Sequence, residues 1–272
     1  MNIDISKRDN KPMGRKVKLP SSKKKQGGIP FTVLAVIAAV LFAASCFLRI
    51  FLGTDYYLKT WIYELVNGIG QIAVPIACFL AAKLYNSAKK IKPLFIMGIV
   101  LLVVSHIAFM YFNYGKFTFL QGTSFALPVF LGCAAIFVRY LTSLEDNMKT
   151  VVIFLLCMLA WFGDGGSVCA VWVFIFGCGI DKRMQVKFFL ISWAIVFVIS
   201  IISLTFFAGF VNGAADSVWY SELYRVGALL ALPLIMRFKE DKTEYPTARY
   251  AWAWAYPVIL GAAAVVSLMR NS

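Results

Sequence analysis

The chain has 272 residues, 61% of them hydrophobic and 15% charged, with a mean hydropathy of +0.77. Soluble domains average about 45–50% apolar and about 25% charged residues, so a soluble globular protein is excluded, and 24 Phe, 12 Tyr and 7 Trp exclude a disordered one. The net charge of +14 would suggest nucleic acid in a soluble chain, but the positions of the basic residues point to lipid, and no nucleic-acid partner is expected.

Nine of the 27 basic residues lie in the first 28 positions: Lys7, Arg8, Lys11, Arg15, Lys16, Lys18, Lys23, Lys24 and Lys25. Residues 1–29 therefore read as a basic, disordered cytoplasmic tail, drawn to anionic lipid headgroups by about 1 kcal/mol per charge. Residues 30–270 read as a transmembrane helical domain. Apolar segments follow near 30–52, 62–84, 93–112, 117–140, 150–163, 167–180, 188–211, 221–236 and 250–269. The expected fold is thus an all-α polytopic membrane protein with about nine transmembrane segments.

The first run exceeds the 7–15 residues of a secretory signal core and reads as a retained signal-anchor. Within it, Ala43-Ala44-Ser45-Cys46 resembles a lipoprotein cleavage box, but too many residues precede it. In the second, Gly68-Ile69-Gly70-Gln71-Ile72-Ala73 matches a dinucleotide-binding pattern without the strand and crossover that pattern requires, so its small residues predict close helix packing instead. Pro75, Pro128 and Pro233 predict breaks in helical hydrogen bonding. The fifth and sixth segments, 14 residues each, fall short of the roughly 20 needed to cross hydrocarbon. Joined by Gly163-Asp164-Gly165-Gly166, they are either re-entrant or cross a thinned region twice.

Lys and Arg alternate between loops as cytoplasmic and external sides should. With the N-terminus inside, only Lys59, Lys116 and Arg270 fall outside, and Arg49 and Arg225 fall within segments. This predicts a multi-pass protein of the cell membrane. All six cysteines lie in apolar segments, which implies neither a disulfide framework nor, with a single His, a zinc site.

Ionisable groups inside a membrane cost about 2.5–3.5 kcal/mol at a helix centre, so they mark candidate chemistry. Arg49, Glu64, His106, Gln121, Asp164, Glu222 and Arg225 are all expected on the outer side, which suggests a shared polar cavity opening outward. Blander roles compete. Arg49 would snorkel to the outer headgroups, Glu222 and Arg225 would form an intrahelical pair, and Asp164 would cap a helix. His106, the only imidazole, suits general base work or a structural hydrogen bond.

Ile69-Gly70-Gln71-Ile72-Ala73-Val74-Pro75-Ile76 with Phe79-Leu80 resembles the second-helix pattern of the TraX family, whose founding members N-acetylate the pilin of conjugative pili. Ser105-His106-Ile107-Ala108-Phe109, Phe125-Ala126-Leu127 through Gly132, Asp164-Gly165-Gly166, Ala228 through Ile235 and Tyr256-Pro257 follow in the family's order. The resemblance covers roughly residues 62 to 262. It departs from the family at two places. Ser45-Cys46 stand where an Asp-His pair is common, and Val258-Ile259 where a His follows Tyr-Pro.

The resemblance implies a membrane acetyltransferase that uses acetyl-CoA and an amine or hydroxyl acceptor such as pilin. In that reading His106 deprotonates the acceptor, Asp164 or Glu222 orients it, and Arg225 or Arg49 stabilises the oxyanion. A cytoplasmic donor must then thread its acyl arm through the bundle or pass the acetyl group through a Cys or Ser, Cys46 being one by position. The competing expectation is a transporter or an assembly factor of a conjugation or cell-surface system.

Overall fold

A computed structural model describes residues 28–52, 61–88, 91–117, 122–211, 219–239 and 246–271, without side chains at 63, 203–211, 219–222, 246–248 and 271. The tail proposed for 1–29 lies outside the described residues except for its last two, as do Gln121, Lys59 and the Glu222 side chain. The described residues form α1 (Phe31–Leu52), α2 (Trp61–Ser87), α3 (Ile91–Tyr114), α4 (Ala126–Arg139), α5 (Asp146–Leu159) and α6 (Gly166–Gly177). There follow α7 (Lys182–Val211), a 3-10 helix (Trp219–Leu230), α8 (Ala231–Met236), α9 (Pro246–Ala253) and α10 (Ala255–Asn271).

Five stretches are long and apolar enough to cross a membrane: Phe31–Leu52, Glu64–Ser87, Ile91–Tyr114, Lys182–Ile202 and Arg249–Arg270. The remaining apolar helices are shorter than these five. In the fourth segment an α-helix begins at Ala126, after Gly115 and Gly122 with positive φ (66° and 91°) and Thr123, which pairs with Gly163 as an isolated bridge, while 118–121 lie outside the described residues. The eighth is mostly 3-10 helix, whose rise of about 2.0 Å per residue lengthens it beyond an α-helix of the same residue count.

The prolines also differ from expectation. Pro128 sits third in α4, in the turn whose N–H groups have no helical acceptor, so it breaks nothing. Pro233 sits where 3-10 geometry gives way to α8. Pro75 alone is deep in a long helix, and its missing N–H leaves the Gln71 carbonyl without its helical donor.

Helix α2 is the hub. It packs against α1, α6 and the 3-10 helix, and 44% of its apolar window is buried, against 11–22% for the other four spans. Phe31, Ile76, Phe79, Tyr85, Phe176 and Phe189 form the centre of the main core. The close approach predicted for the glycines of α2 is present. The 3-10 helix crosses α2 with Gly227 against Gly68, and Ser45 of α1 packs against Gly70. By contrast α3 packs on α10 and α4 rather than on its sequence neighbour α2, which leaves a cleft between α2 and α3. The outer faces of α3, α5 and α7 expose Ile99, Val103, Phe154, Leu155, Ile191, Ile195 and Ile199, an apolar mantle suited to hydrocarbon.

Hydrogen bonds collect the loops at two ends. At one, Ile29 pairs with Phe238, Asn86 Nδ2 donates to the Gly177 carbonyl (3.1 Å), Lys182 Nζ donates to the Met236 carbonyl (2.6 Å), and Arg249 Nη1 donates to Ser87 Oγ (3.1 Å). Arg139, Arg237 and Lys239 close helices or loops on this same end, so it is the basic rim. At the other, Arg49 Nη1 donates to Asn113 Oδ1 (3.0 Å) and Arg270 Nη1 to the Ile50 carbonyl.

Candidate functional site

The turn between α5 and α6 is built by backbone pairing. Thr123 N–H donates to the Phe162 carbonyl (2.9 Å) and Asp164 N–H to the Thr123 carbonyl (2.7 Å), while Gly165 and Gly166 take φ of 81° and 60° to reverse the chain. Two residues after Thr123, the Phe125 N–H donates to Tyr256 Oη (3.3 Å), which joins this turn to the start of α10. Tyr256 is two helical turns from Arg249 at the basic rim and four from Arg270 at the opposite end. The Asp164 turn therefore lies near mid-bundle.

Expectation had Asp164 level with Arg49 on the outer side. It sits deeper because the hairpin that carries it is short, α5 and α6 being 14 and 12 residues, about 21 and 18 Å.

A cavity of about 290 Å³ occupies the cleft beside α2. Its walls are mainly apolar, with Ala35, Ala38 and Ala39 of α1 keeping it open on one side. Among the described residues, Asp164 is the one acidic and Arg249 the one basic residue that line it, at opposite ends. Near Asp164 the walls add Gln71, Ser105 and Tyr256. Phe42 and Phe125 flank the Tyr256 ring, with centroids 5.0 and 5.7 Å away. At the other end Arg249 is buried with its guanidinium 5.4 Å from the Phe31 ring.

The Asp164 end is short of hydrogen bonds. Ser105 is 1% exposed and Ser124 wholly buried, and the hydroxyls of Ser105, Ser124 and Ser167 find no partner among the described residues. Ser124 adjoins Thr123, to which Asp164 is bonded, and Ser167 is three residues beyond Asp164. A buried hydroxyl left unpaired costs about 1–3 kcal/mol, and of the three only Ser105 lines the cavity, where a bound group could supply the missing bond.

Of the five residues singled out from sequence, the four whose side chains are described do not converge on one cavity. Asp164 lines the cavity. Arg49, held by Asn113 and lying 5.2 Å from the Phe112 ring, does not line it but acts on Asp164 electrostatically. His106 follows Ser105 on α3 yet faces away from the cavity, edge-on to Phe117 at 6.0 Å. Arg225 lines a separate space of about 30 Å³, large enough for a water, which shares Gln71 with the main cavity. The Glu222 side chain lies outside the described residues. Cys46 is buried beside Tyr256 and Leu260 and does not line the cavity.

Glu64 has a structural task. Its Oε2 accepts the Tyr224 N–H at 2.8 Å and pins the 3-10 helix to α2. Glu64→Ala is expected to lower stability by about 1–3 kcal/mol, the cost of a part-buried donor left unpaired, and a thermal-unfolding series would measure it.

Sequence reasoning passed over Gln71, Ser105, Tyr256 and Arg249 as site residues. Gln71 carried a signal, being an amide within an apolar run and four residues before a proline. Arg249 looked like one more loop cation, and Ser105 is indistinguishable by sequence from any membrane-helix serine. Among the described residues no three His, Cys, Asp or Glu side chains gather as a metal site. Comparison with known proteins brings no match, whether to a family model, a curated sequence or a solved structure.

Proposed function

We propose that the protein is an integral membrane acyltransferase of the TraX type that moves an acetyl group from acetyl-CoA to an amine or hydroxyl acceptor. The observation that carries this reading is the single cavity joining Arg249 at the basic rim to Asp164 inside the bundle. A thioester arm entering from the basic rim reaches the carboxylate without leaving protein, which answers how a cytoplasmic donor meets a deep acceptor site. The topology that goes with it has about nine membrane segments, the short fifth and sixth forming a re-entrant hairpin, with the N-terminus and basic rim cytoplasmic in the cell membrane and the tail against anionic headgroups.

The roles follow from the cavity. The acceptor nitrogen or oxygen attacks the thioester carbonyl as Asp164 takes its proton, the carbon–sulfur bond breaks, and the proton passes to the leaving thiolate. Tyr256 Oη already accepts the Phe125 N–H, so its own hydroxyl proton is available to the developing oxyanion. Arg49 biases Asp164 through its field, and His106 takes no part.

Purified protein in nanodiscs, given labelled acetyl-CoA and a mixture of amine and hydroxyl acceptors, should transfer label. Ala77→Trp, which fills the cavity between its two ends, is expected to lower transfer by about tenfold or more. Unchanged transfer in Ala77→Trp would remove the cavity from the reaction. A transporter or assembly factor remains the competing reading, favoured by the glycine-broken hairpin. Substrate flux in proteoliposomes without label transfer would decide for it.

A further inference from the structure

We propose that the Asp164 end of the cavity is a saccharide subsite, and that the acyl acceptor is a sugar hydroxyl and not an amine. The inference rests on the acyl-transfer reading for its chemistry, but its binding claim stands on separate observations.

The first is an unpaired hydroxyl. Ser105, nine-tenths buried and more, lines the cavity with no hydrogen-bond partner among the described residues. Its hydroxyl offers one donor and two acceptor lone pairs. An ammonium group supplies donors only, so it would leave the serine proton unmatched. A polyol supplies donors and acceptors together and satisfies both kinds of need.

The second is the company this group keeps. Phe42, Phe125 and Tyr256 present clustered aromatic surface within the same end of the cavity, a match for the apolar C–H face of a pyranose ring. Gln71 adds an amide, again donor and acceptor in one side chain. In the transfer step one sugar O–H attacks the thioester carbonyl, Asp164 receives its proton, an ester C–O bond replaces the C–S bond, and the thiol leaves with the proton.

The test separates binding from transfer. An Ala39→Cys, Cys133→Ala protein, with the new thiol on the cavity wall one turn from Phe42, is treated in phosphatidylcholine nanodiscs with N-ethylmaleimide, and alkylation of residue 39 is followed by peptide mass spectrometry. Octyl glucoside and octylamine, below their micellar concentrations, carry the same chain with different heads. Octyl glucoside is expected to slow alkylation several-fold more than octylamine, with the difference lost in Asp164→Asn and in Ser105→Ala. Equal protection by both, protection by octylamine alone, or protection by neither overturns the saccharide subsite.

In parallel, unaltered protein is given labelled acetyl-CoA with each amphiphile. Label appearing as an alkali-labile ester of the glucoside supports both readings. Glucoside protection with no transfer to any acceptor keeps the subsite and sinks the acyltransferase. Transfer to octylamine and not to the glucoside does the reverse. A free disaccharide and a glycolipid in the same assay distinguish a soluble sugar from a lipid-borne one.

Discussion

Asp164→Asn is expected to reduce acyl transfer by about 10²–10⁴, the usual contribution of a positioned proton acceptor, while His106→Ala leaves it within about threefold. The asparagine is chosen because it preserves the turn. Asp164 N–H still donates to the Thr123 carbonyl, the side-chain oxygen can still accept the Gly165 N–H, and Gly165 and Gly166 keep their left-handed backbone. Only the proton-accepting charge is removed. His106 lies edge-on to Phe117 outside the cavity, so its imidazole cannot reach an acceptor held at Asp164 without repacking α3. Initial rates with labelled acetyl-CoA, normalised to folded protein, would measure both. The opposite order, with His106→Ala inactive and Asp164→Asn active, would move the reacting centre to the outer face of α3.

Gly227→Ala is expected to destabilise the bundle by about 1–3 kcal/mol, since overpacking at a tight contact forces backbone to move. A Cβ at Gly227 would strike the Gly68 carbonyl and lie 3.2 Å from the Gly68 Cα, backbone against backbone, where no side-chain end can swing aside. The 3-10 helix would have to lift from α2, straining the Glu64–Tyr224 bond. Gly261 is the control: a Cβ there meets nothing within 4 Å, so Gly261→Ala should leave the unfolding midpoint unchanged or raise it. Scanning fluorimetry in one detergent would compare the two. Equal midpoints would mean that the Gly68–Gly227 crossing has slack.

The two kinds of signal in the sequence had different reach. Apolar length located helices because crossing hydrocarbon demands an unbroken run, and α1, α3 and α7 are found within a few residues of where the pattern placed them. The same measure gave no hint of Gly122 and Thr123, which lie in an apolar stretch yet hold, respectively, a left-handed backbone and a backbone bridge to Gly163. Positive φ and a partner 40 positions distant leave no trace in hydropathy. At the site, rarity of charge picked out Asp164 and also picked out Arg49, Glu64, His106 and Arg225. These differ only in which way a side chain points and what covers it. Ser105 and His106 are adjacent, and one lines the cavity while the other does not. That distinction belongs to the rotation of α3, set by its packing on α10 and α4 rather than by its own residues.

The pairing of Ile29 with residues 237–239 also has a bearing on biosynthesis. Ile29 N–H donates to the Arg237 carbonyl (2.8 Å) and Lys239 N–H to the Ile29 carbonyl (2.9 Å), and α1 further packs on α10 at the far end of the chain. The start of α1 therefore completes its contacts with residues made much later in synthesis. Until they emerge, its inward face must be guarded by lipid, by α2 or by an insertion factor, and closure of so long a loop makes final assembly a late, slow event.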